Sequence, residues 1–365
     1  QKNVGKIWRP LSYPLRAVFP TAFLPDYKWT ILETFDAIHS WSVQNPELFW
    51  GESAKFLNIK FNSTPHKIVD DPKLMPGATW FEGATLNYAE NCLRHRSNDL
   101  AIYEIDEYGL TNTVTWEELY QLVSRWHQFF IKKGIKKGDR IAGILPNNLV
   151  ALAAMLGATS IGAVWSSCSP DFGEQGICDR LEQVNPKCII SISTYSYKGK
   201  DILITDRLNQ IRESLTNTSI WVNASNDSID GWMNCSEIDA YQPTDINFVP
   251  CEFHDPLFIL FSSGTTGKPK CIVHGVGGTL LQHMKEHQFH GNMKEGDTLF
   301  YYTTCGWMMW NWMVSALASN VSLVLFDGAA ITNSFSIWDL IEQYEINIFG
   351  CSASFIGASQ KRKID

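Results

Sequence analysis

The hydrophobic residues between Thr115 and Lys133 recur with the spacing of an amphipathic helix. Thr115 and Glu118, three residues apart, predict a capping box at its start, and Gly134 predicts its end. The apolar positions that share one face of this helix are Leu119, Leu122, Val123, Trp126, Phe129 and Phe130. This periodicity predicts a helix that packs on a core along one side.

A strand–helix–strand pattern follows this helix. Ile141–Leu145 and Ala163–Ser166 are short apolar runs that predict buried strands, and Val150–Gly157 predicts the helix between them. Short connections between such elements are typical of a parallel α/β sheet.

A second run of α/β pattern comes after the turn-rich stretch Asn217–Asp245. The strands expected in it are Leu257–Phe261, Lys270–Val273, Leu323–Phe326 and Asn347–Gly350, and the helices are Gly278–His290 and Ile337–Gln343. We therefore expect three parts: an extension and the start of the large domain over 1–110, a first α/β subdomain over 111–245, and a second over 246–365. The first part contains a predicted helix around Ile31–Leu48.

The composition is that of a globular protein and excludes several classes. Of 365 residues, 45% are hydrophobic and 19% are charged, which argues against a disordered chain. The net charge of −8, with no basic run longer than Lys361–Lys363, argues against nucleic-acid binding.

The cysteines and the two long uncharged stretches bear on where the protein resides. The nine cysteines include no C-x-x-C pair, which is typical of free thiols in a reducing compartment, and we expect a cytoplasmic protein. Residues 141–170 and 299–326 contain too many polar side chains for membrane spans.

The strongest candidate for chemistry is the loop Phe261–Lys270. Gly264 and Gly267 permit a tight backbone that turns successive N–H groups toward one point. Its further donors are the hydroxyls of Ser262, Ser263, Thr265 and Thr266 and the ammonium groups of Lys268 and Lys270. Such a donor set suits a triphosphate, although the spacing is not that of a Walker A loop. The structural alternative is an ordinary Ser/Gly/Thr hairpin.

This loop resembles the phosphate loop of the adenylate-forming superfamily, which includes the acyl-CoA synthetases. Trp80–Tyr88 is similar to a segment near the start of the short-chain enzymes. Gly138–Ala142 is similar to a motif in the first half of the family's sequences. Trp165–Gly173 and Cys305–Asn311 resemble the acetoacetate–CoA ligases of that superfamily. The resemblance implies a layered α/β large domain of two sheets flanked by helices, incomplete at its C-terminus.

The resemblance also implies a reaction. Members form an acyl-adenylate from a carboxylate and Mg²⁺–ATP, release pyrophosphate, and pass the acyl group to coenzyme A with release of AMP. Acetoacetate is the acid that the resemblance favours, and acetate or another short-chain acid is the alternative. We expect only small-molecule partners, with no nucleic acid and no membrane span, and the sequence leaves the oligomeric state open.

Residue roles follow from the same resemblance. Ser262 through Lys270 are expected to hold the β- and γ-phosphates. An acyl pocket is expected at Met308, Met309 and Trp310, with Trp307 packing at its base and Asn311 or Cys305 as a partner for a ketone. Lys198 and Lys200 are expected to contact the phosphates of coenzyme A. The alternatives are a buried helix start for 307–310 and a solvated basic turn for the two lysines.

Two other interpretations of the sequence remain open. The family's Thr-Glu motif, its ribose-binding Asp and its small C-terminal domain with a catalytic lysine are not found in this sequence, so we expect a catalytically incomplete N-terminal fragment or a non-catalytic nucleotide-binding remnant. His283-x-x-Glu286-His287 also fits the pattern of a zinc hydrolase, in which two histidines one turn apart bind the metal. Outside that alternative we expect no metal bound directly by the protein.

Overall fold

The computed structural model describes residues 35–225, 227–262, 267–331 and 336–362. Its helices are α1 (Phe35–Gln44), α2 (Pro46–Phe56), α3 (Tyr88–Cys92), α4 (Trp116–Lys132), α5 (Leu149–Ser160), α6 (Glu174–Val184), α7 (Thr205–Ser214), α8 (Ser236–Asp239), α9 (Val276–Lys285), α10 (Met308–Val314), α11 (Ile337–Gln343) and α12 (Ala353–Lys361).

The strands are short, with two to seven residues each. They are β1 (Phe61–Ser63), β2 (Lys67–Val69), β3 (Trp80–Glu82), β4 (Thr85–Leu86), β5 (Leu100–Asp106), β6 (Gly109–Thr115), β7 (Arg140–Ile144), β8 (Val164–Cys168), β9 (Cys188–Ser191), β10 (Thr194–Tyr197), β11 (Lys200–Leu203), β12 (Ile220–Asn223), β13 (Met233–Asn234), β14 (Cys251–Glu252), β15 (Pro256–Ser262), β16 (Lys270–Gly275), β17 (Thr298–Tyr301), β18 (Ser322–Phe326) and β19 (Ile348–Gly350).

Two large sheets organise the chain. The first has seven strands in the order β13-β12-β9-β7-β8-β15-β16, parallel from β13 to β15 and antiparallel at β16. The second has five strands in the order β19-β17-β18-β5-β6, parallel from β19 to β5 and antiparallel at β6. This arrangement confirms the predicted α/β class with two sheets flanked by helices.

The sheets do not follow the predicted division of the chain at residues 245 and 246. β15 and β16, which flank the predicted phosphate loop, belong to the seven-stranded sheet together with β7 and β8. β5, from the predicted N-terminal part, pairs with β18 from the predicted second part. Hydrophobic periodicity finds strands one at a time, and it carries no information about which distant strand each one pairs with.

The helix predicted from periodicity is α4, and its start is confirmed in detail. The Thr115 hydroxyl accepts from the Glu118 backbone N–H, and the Glu118 carboxylate accepts from the Thr115 N–H, which is the capping box. α4 packs closely on α5, where a Cβ added at Gly157 would lie 2.6 Å from Trp126 Cβ. A glycine therefore lets these two helices approach each other.

Other boundaries differ from prediction for local reasons. In the described part, the helix expected around 31–48 consists of α1 and α2, which meet at Asn45 and Pro46. The helix expected over 278–290 is α9 followed by a π-helical turn over Glu286–His290. Among the described residues no helix combines the length and the apolar character needed to cross a bilayer.

Candidate functional site

A cavity of about 300 Å³ lies where the carboxyl ends of the two sheets face each other. It is lined by residues that follow β7, β8, β17 and β18 and by the β10–β11 hairpin, namely Pro146, Asn147, Ser169, Pro170, Asp171, Tyr195, Ser196, Tyr197, Tyr302, Thr303, Thr304, Phe326, Asp327 and Gly328. Ligands of open α/β sheets bind in the crevice outside the carboxyl ends of the strands. Position alone therefore makes this cavity the candidate site.

Buried hydrogen bonds hold the two sheets together beneath the cavity. The Trp310 indole N–H donates to Asn147 Oδ1 at 2.8 Å, and Cys305 Sγ donates to the Pro146 carbonyl at 3.0 Å. Ser167 Oγ, from β8, donates to the Cys305 carbonyl at 2.7 Å. The loop after β17 is therefore fixed against the ends of β7 and β8.

Asp327 brings an unusual carboxyl group to the cavity. It directly follows β18, and burial together with four neighbouring carboxylates raises its pKa from 3.8 to about 7. These neighbours are Glu107, Asp106, Asp171 and Glu104. The side chain is therefore largely protonated in mildly acidic solution and able to donate a hydrogen bond.

The predicted phosphate loop connects β15 to β16 at the same edge of the seven-stranded sheet. Ser262 is the last residue of β15, and Lys270 is the first of β16, paired across the hairpin. Gly267 has a φ of 116°, a backbone conformation that favours glycine. Four of the predicted phosphate ligands, Ser263, Gly264, Thr265 and Thr266, lie outside the described residues, so their placement is not tested.

The two lysines of this loop have different surroundings. Lys268 Nζ lies 3.3 Å from Asp179 Oδ1 and 3.2 Å from Glu182 Oε2, and both carboxylates belong to α6. These ion pairs and their hydrogen bonds raise the pKa of Lys268. Lys270 is exposed, and the ion pairs of the described part of the loop are made by Lys268. A phosphate bound at this loop would compete with α6 for Lys268.

The four residues of the predicted acyl pocket separate into two environments. Trp307 and Met308 are 55% and 44% exposed, whereas Trp310 is fully buried and Met309 is half-buried. Trp307 therefore does not pack at the base of a closed pocket, because α10 begins only after it and leaves its indole at the surface. None of the four lines the cavity within the described residues, and their contact with an acyl group stays a prediction.

Of the two candidate partners for a ketone, Asn311 fits better than Cys305. The Cys305 thiol is fully buried and already donates to Pro146. Asn311 is also fully buried, and neither its side-chain oxygen nor its nitrogen has a hydrogen-bond partner among the described residues. A buried amide without partners is costly, and a polar ligand group would satisfy it.

Trp310 is expected to be a structural residue. We expect Trp310→Ala to lower the free energy of unfolding by about 3–5 kcal/mol, because it removes a fully buried indole and leaves Asn147 without its donor. The matched variant Trp307→Ala should cost less than about 0.5 kcal/mol, since that side chain is exposed. Urea unfolding followed by fluorescence measures both, and equal losses would contradict these positions.

Lys198 and Lys200 lie at the turn of the β10–β11 hairpin, and both are exposed. Tyr195, Ser196 and Tyr197 of the same hairpin form one wall of the cavity. The structure therefore places the two lysines next to the cavity, at its surface. Their contact with coenzyme A is not tested and stays a prediction.

The arrangement does not support the zinc alternative. His283 Nδ1 is hydrogen-bonded to Ser315 Oγ at 2.8 Å, and Glu286 accepts from the Trp312 indole at 2.9 Å. Burial lowers the pKa of His283 and of His287 to about 3. Within the described ranges no group of three or more His, Cys, Asp or Glu side chains is suited to a metal. Both histidines are core residues.

Two known protein families match this chain. The AMP-binding enzyme family matches residues 89–358, and the acetyl-coenzyme A synthetase N-terminus family matches residues 35–92. The chain belongs to the AMP-binding enzyme family. This agrees with the resemblance carried by the phosphate loop and with the position of the cavity.

Several individual proteins are similar to this chain over most of its length. The chain is 42% identical to an acetoacetyl-CoA synthetase of Rattus norvegicus over 91% of the chain and 52% of that protein. It is 33% identical to a malonamoyl-CoA synthetase of Penicillium aethiopicum over 91% of the chain and 50% of that protein. The solved acetoacetyl-CoA synthetase of Streptomyces lividans superposes with a TM-score of 0.89 at 32% identity, covering 96% of this chain and 55% of that one.

The chain thus spans about half the length of the curated relatives it matches. These similarities establish the family and the fold of this AMP-binding chain. The reaction of the whole protein is proposed below.

Several residues of the site were not among those predicted from the sequence. Asp327, Tyr302 and Asp171 each follow a parallel strand, and the rule that ligands bind at the carboxyl ends of strands would have selected them. Tyr195 and Tyr197 had no such signal, because their hairpin belongs to neither large sheet.

Proposed function

We propose that this AMP-binding chain is the nucleotide-binding part of an acid–thiol ligase that activates acetoacetate and transfers it to coenzyme A. The observation that carries the proposal is the 42% identity to an acetoacetyl-CoA synthetase along 91% of the chain. The cavity between the carboxyl ends of the two sheets supports it, because the strands that flank the loop with the phosphate-binding pattern belong to the same seven-stranded sheet.

In the first step, a carboxylate oxygen of the acid attacks the α-phosphorus of ATP, and the bond to the bridging oxygen of pyrophosphate breaks. The products are an acyl-adenylate and pyrophosphate. Negative charge grows on the departing pyrophosphate, so donors fixed around it stabilise the transition state. The loop Ser262–Lys270 contains hydroxyl, backbone and ammonium donors, and we assign it the β- and γ-phosphates.

In the second step, the thiol of coenzyme A attacks the acyl carbon, AMP leaves, and the thiol proton passes to solvent or a base. The exposed lysines of the β10–β11 hairpin, Lys198 and Lys200, are proposed to bind phosphates of coenzyme A. Mg²⁺ is proposed to accompany ATP as its counter-ion, and the described residues offer no cluster of three ligands to hold it independently.

Two acids are candidates for the acyl substrate. The acetoacetyl and malonamoyl groups named for two relatives both carry a carbonyl beyond the methylene next to the thioester. Asn311, with its amide unpartnered, is our candidate to bind this second carbonyl. Acetate is the second candidate substrate, favoured by the acetyl-coenzyme A synthetase N-terminus match over residues 35–92.

We also propose a cytoplasmic location. All nine cysteines are free thiols, and six of them are buried. This state is typical of a reducing compartment.

The proposed reaction is tested by acid-dependent exchange of labelled pyrophosphate into ATP, with acetoacetate, acetate and butyrate compared in the full-length protein. We expect exchange to be at least about tenfold faster with acetoacetate, because one well-placed polar contact in a buried site discriminates by that factor or more. Faster exchange with acetate would keep the adenylation chemistry and overturn the substrate. Absence of exchange with every acid would contradict the ligase and favour a non-catalytic nucleotide-binding protein.

A further inference from the structure

Glu107 is a buried carboxylate at the turn between β5 and β6, and its hydrogen bonds leave its own sheet. Its Oε1 accepts from the backbone N–H of Lys198 at 2.6 Å and from that of Ala329 at 2.5 Å. Its Oε2 accepts from the backbone N–H of Gly199 at 2.7 Å. The residue is only 8% exposed, so these bonds are largely shielded from water.

The three amides come from distant parts of the chain. Lys198 and Gly199 are 91 and 92 residues after Glu107, and Ala329 is 222 residues after it. The first two belong to the β10–β11 hairpin, which leaves the seven-stranded sheet after β9, whereas Ala329 follows β18 of the five-stranded sheet. One carboxylate therefore ties this hairpin to the edge of the other sheet.

The backbone on both sides is shaped for this contact. Lys198 and Gly199 have φ values of 53° and 68°, so the two-residue turn presents successive N–H groups to one acceptor. On the other side, Gly328 has a φ of 134°, and a Cβ there would lie 2.4 Å from Glu107 Cγ. Glycine at 328 leaves the space through which the Glu107 side chain reaches the hairpin.

The anchored hairpin borders the candidate site. Tyr195, Ser196 and Tyr197 line the cavity, and the side chains of Lys198 and Lys200 are exposed at the adjacent turn. Because Glu107 uses its oxygens on backbone amides, it fixes the turn without forming the ion pairs that would occupy the two ammonium groups. The turn is therefore held in place while its positive charge stays available to an anion.

We propose that Glu107 is a positioning residue that anchors the Lys198–Gly199 turn, so that the hairpin presents Lys198 and Lys200 to the phosphates of the coenzyme A that accepts the acyl group. The inference rests on the proposed ligase function for the identity of that ligand. The anchoring of the turn does not depend on that function, because it follows from the hydrogen bonds that Glu107 accepts.

The test uses Glu107→Gln in the full-length protein. The amide keeps the shape of the side chain, but with its oxygen toward Lys198 and Ala329 its NH₂ group faces the Gly199 N–H, so two donors meet. Glu104→Gln is the matched control, because Glu104 lies on β5 three residues before Glu107 and also accepts a backbone N–H, that of Leu149 at 2.8 Å, without contacting the hairpin.

The anchoring is read by limited trypsin digestion. Trypsin cleaves after lysine, so cleavage after Lys198 and Lys200 reports release of the turn. We expect at least about tenfold faster cleavage at these two positions in Glu107→Gln, as loss of a hydrogen bond to a charged group implies, and unchanged cleavage in Glu104→Gln. Equal cleavage rates in the wild type and in Glu107→Gln would overturn the anchoring.

The functional role is read by direct calorimetric titration with coenzyme A and by the two half-reactions. We expect a Kd and a KM for coenzyme A about tenfold higher in Glu107→Gln, with pyrophosphate exchange and the KM for ATP unchanged. Unchanged coenzyme A binding, or a parallel loss of exchange, would overturn the positioning role. Absence of exchange in the wild type would instead contradict the proposed ligase, and the trypsin result would still decide the anchoring.

Discussion

Replacing Lys270 with alanine is expected to slow acid-dependent pyrophosphate exchange by about 100-fold, or about 3 kcal/mol of transition-state stabilisation. Lys270 is the last residue of the predicted phosphate loop and the first of β16, and it is exposed at the edge of the sheet where ligands bind. Negative charge on the departing pyrophosphate grows in the transition state, so loss of an ammonium group there lowers kcat more than it raises the KM for ATP.

The fold should tolerate this substitution. The Lys270 side chain is exposed, and alanine keeps its backbone pairing with Ser262. Lys67→Ala is the matched control, because Lys67 is also an exposed lysine in a strand but lies on β2, in a different sheet. We expect both variants to unfold at the wild-type temperature and only Lys270→Ala to lose exchange. Wild-type exchange in Lys270→Ala would remove the role assigned to this residue.

Local sequence patterns predicted individual elements well. The capping box at Thr115 and Glu118 is present, and helix α11 has the predicted bounds Ile337–Gln343. Both depend on side chains near each other in sequence, so a pattern of a few residues contains the necessary information. The family, too, was accessible from sequence, because the loop and its companion motifs are contiguous segments.

Long-range pairing was not accessible in the same way. The pairing of β5 with β18 joins residues more than 200 positions apart, and the sequence of neither strand indicates which strand it pairs with. The same limit explains the site: Asp327 and Glu107 acquire their environment only when β18 and the β10–β11 hairpin are brought together. The burial of Trp310 in the core could not be predicted either, because a run of Trp and Met residues has the same sequence pattern whether it faces a ligand or the core.

The carboxyl group of Asp327 should make the stability of the protein depend on pH in an unusual direction. Its folded-state pKa of about 7 is above the ordinary value of 3.8, so between these two values the folded protein holds a proton that the unfolded chain has lost. The contribution of this group to the free energy of unfolding is therefore fully present below pH 3.8, and it is lost as the pH rises toward 7. Above pH 7 the loss is constant.

Asp327→Asn removes this titration, and we expect it to raise the free energy of unfolding at pH 8 by up to about 4 kcal/mol. The gain should shrink as the pH is lowered and vanish near pH 4, where the wild-type carboxyl is neutral in both states. Urea unfolding between pH 4 and pH 8, followed by tryptophan fluorescence, measures this difference.

Asp230→Asn is the matched control, because Asp230 is exposed and should change stability by less than about 0.5 kcal/mol at every pH. A pH-independent effect of Asp327→Asn would show that Asp327 is ionised throughout and would contradict the raised pKa. A loss of stability at pH 8 would show that the carboxylate has a stabilising partner there. The expected gain implies that the Asp327 carboxyl group in the cavity lowers the free energy of unfolding of the wild type. Groups that lower stability in this way are typical of functional sites.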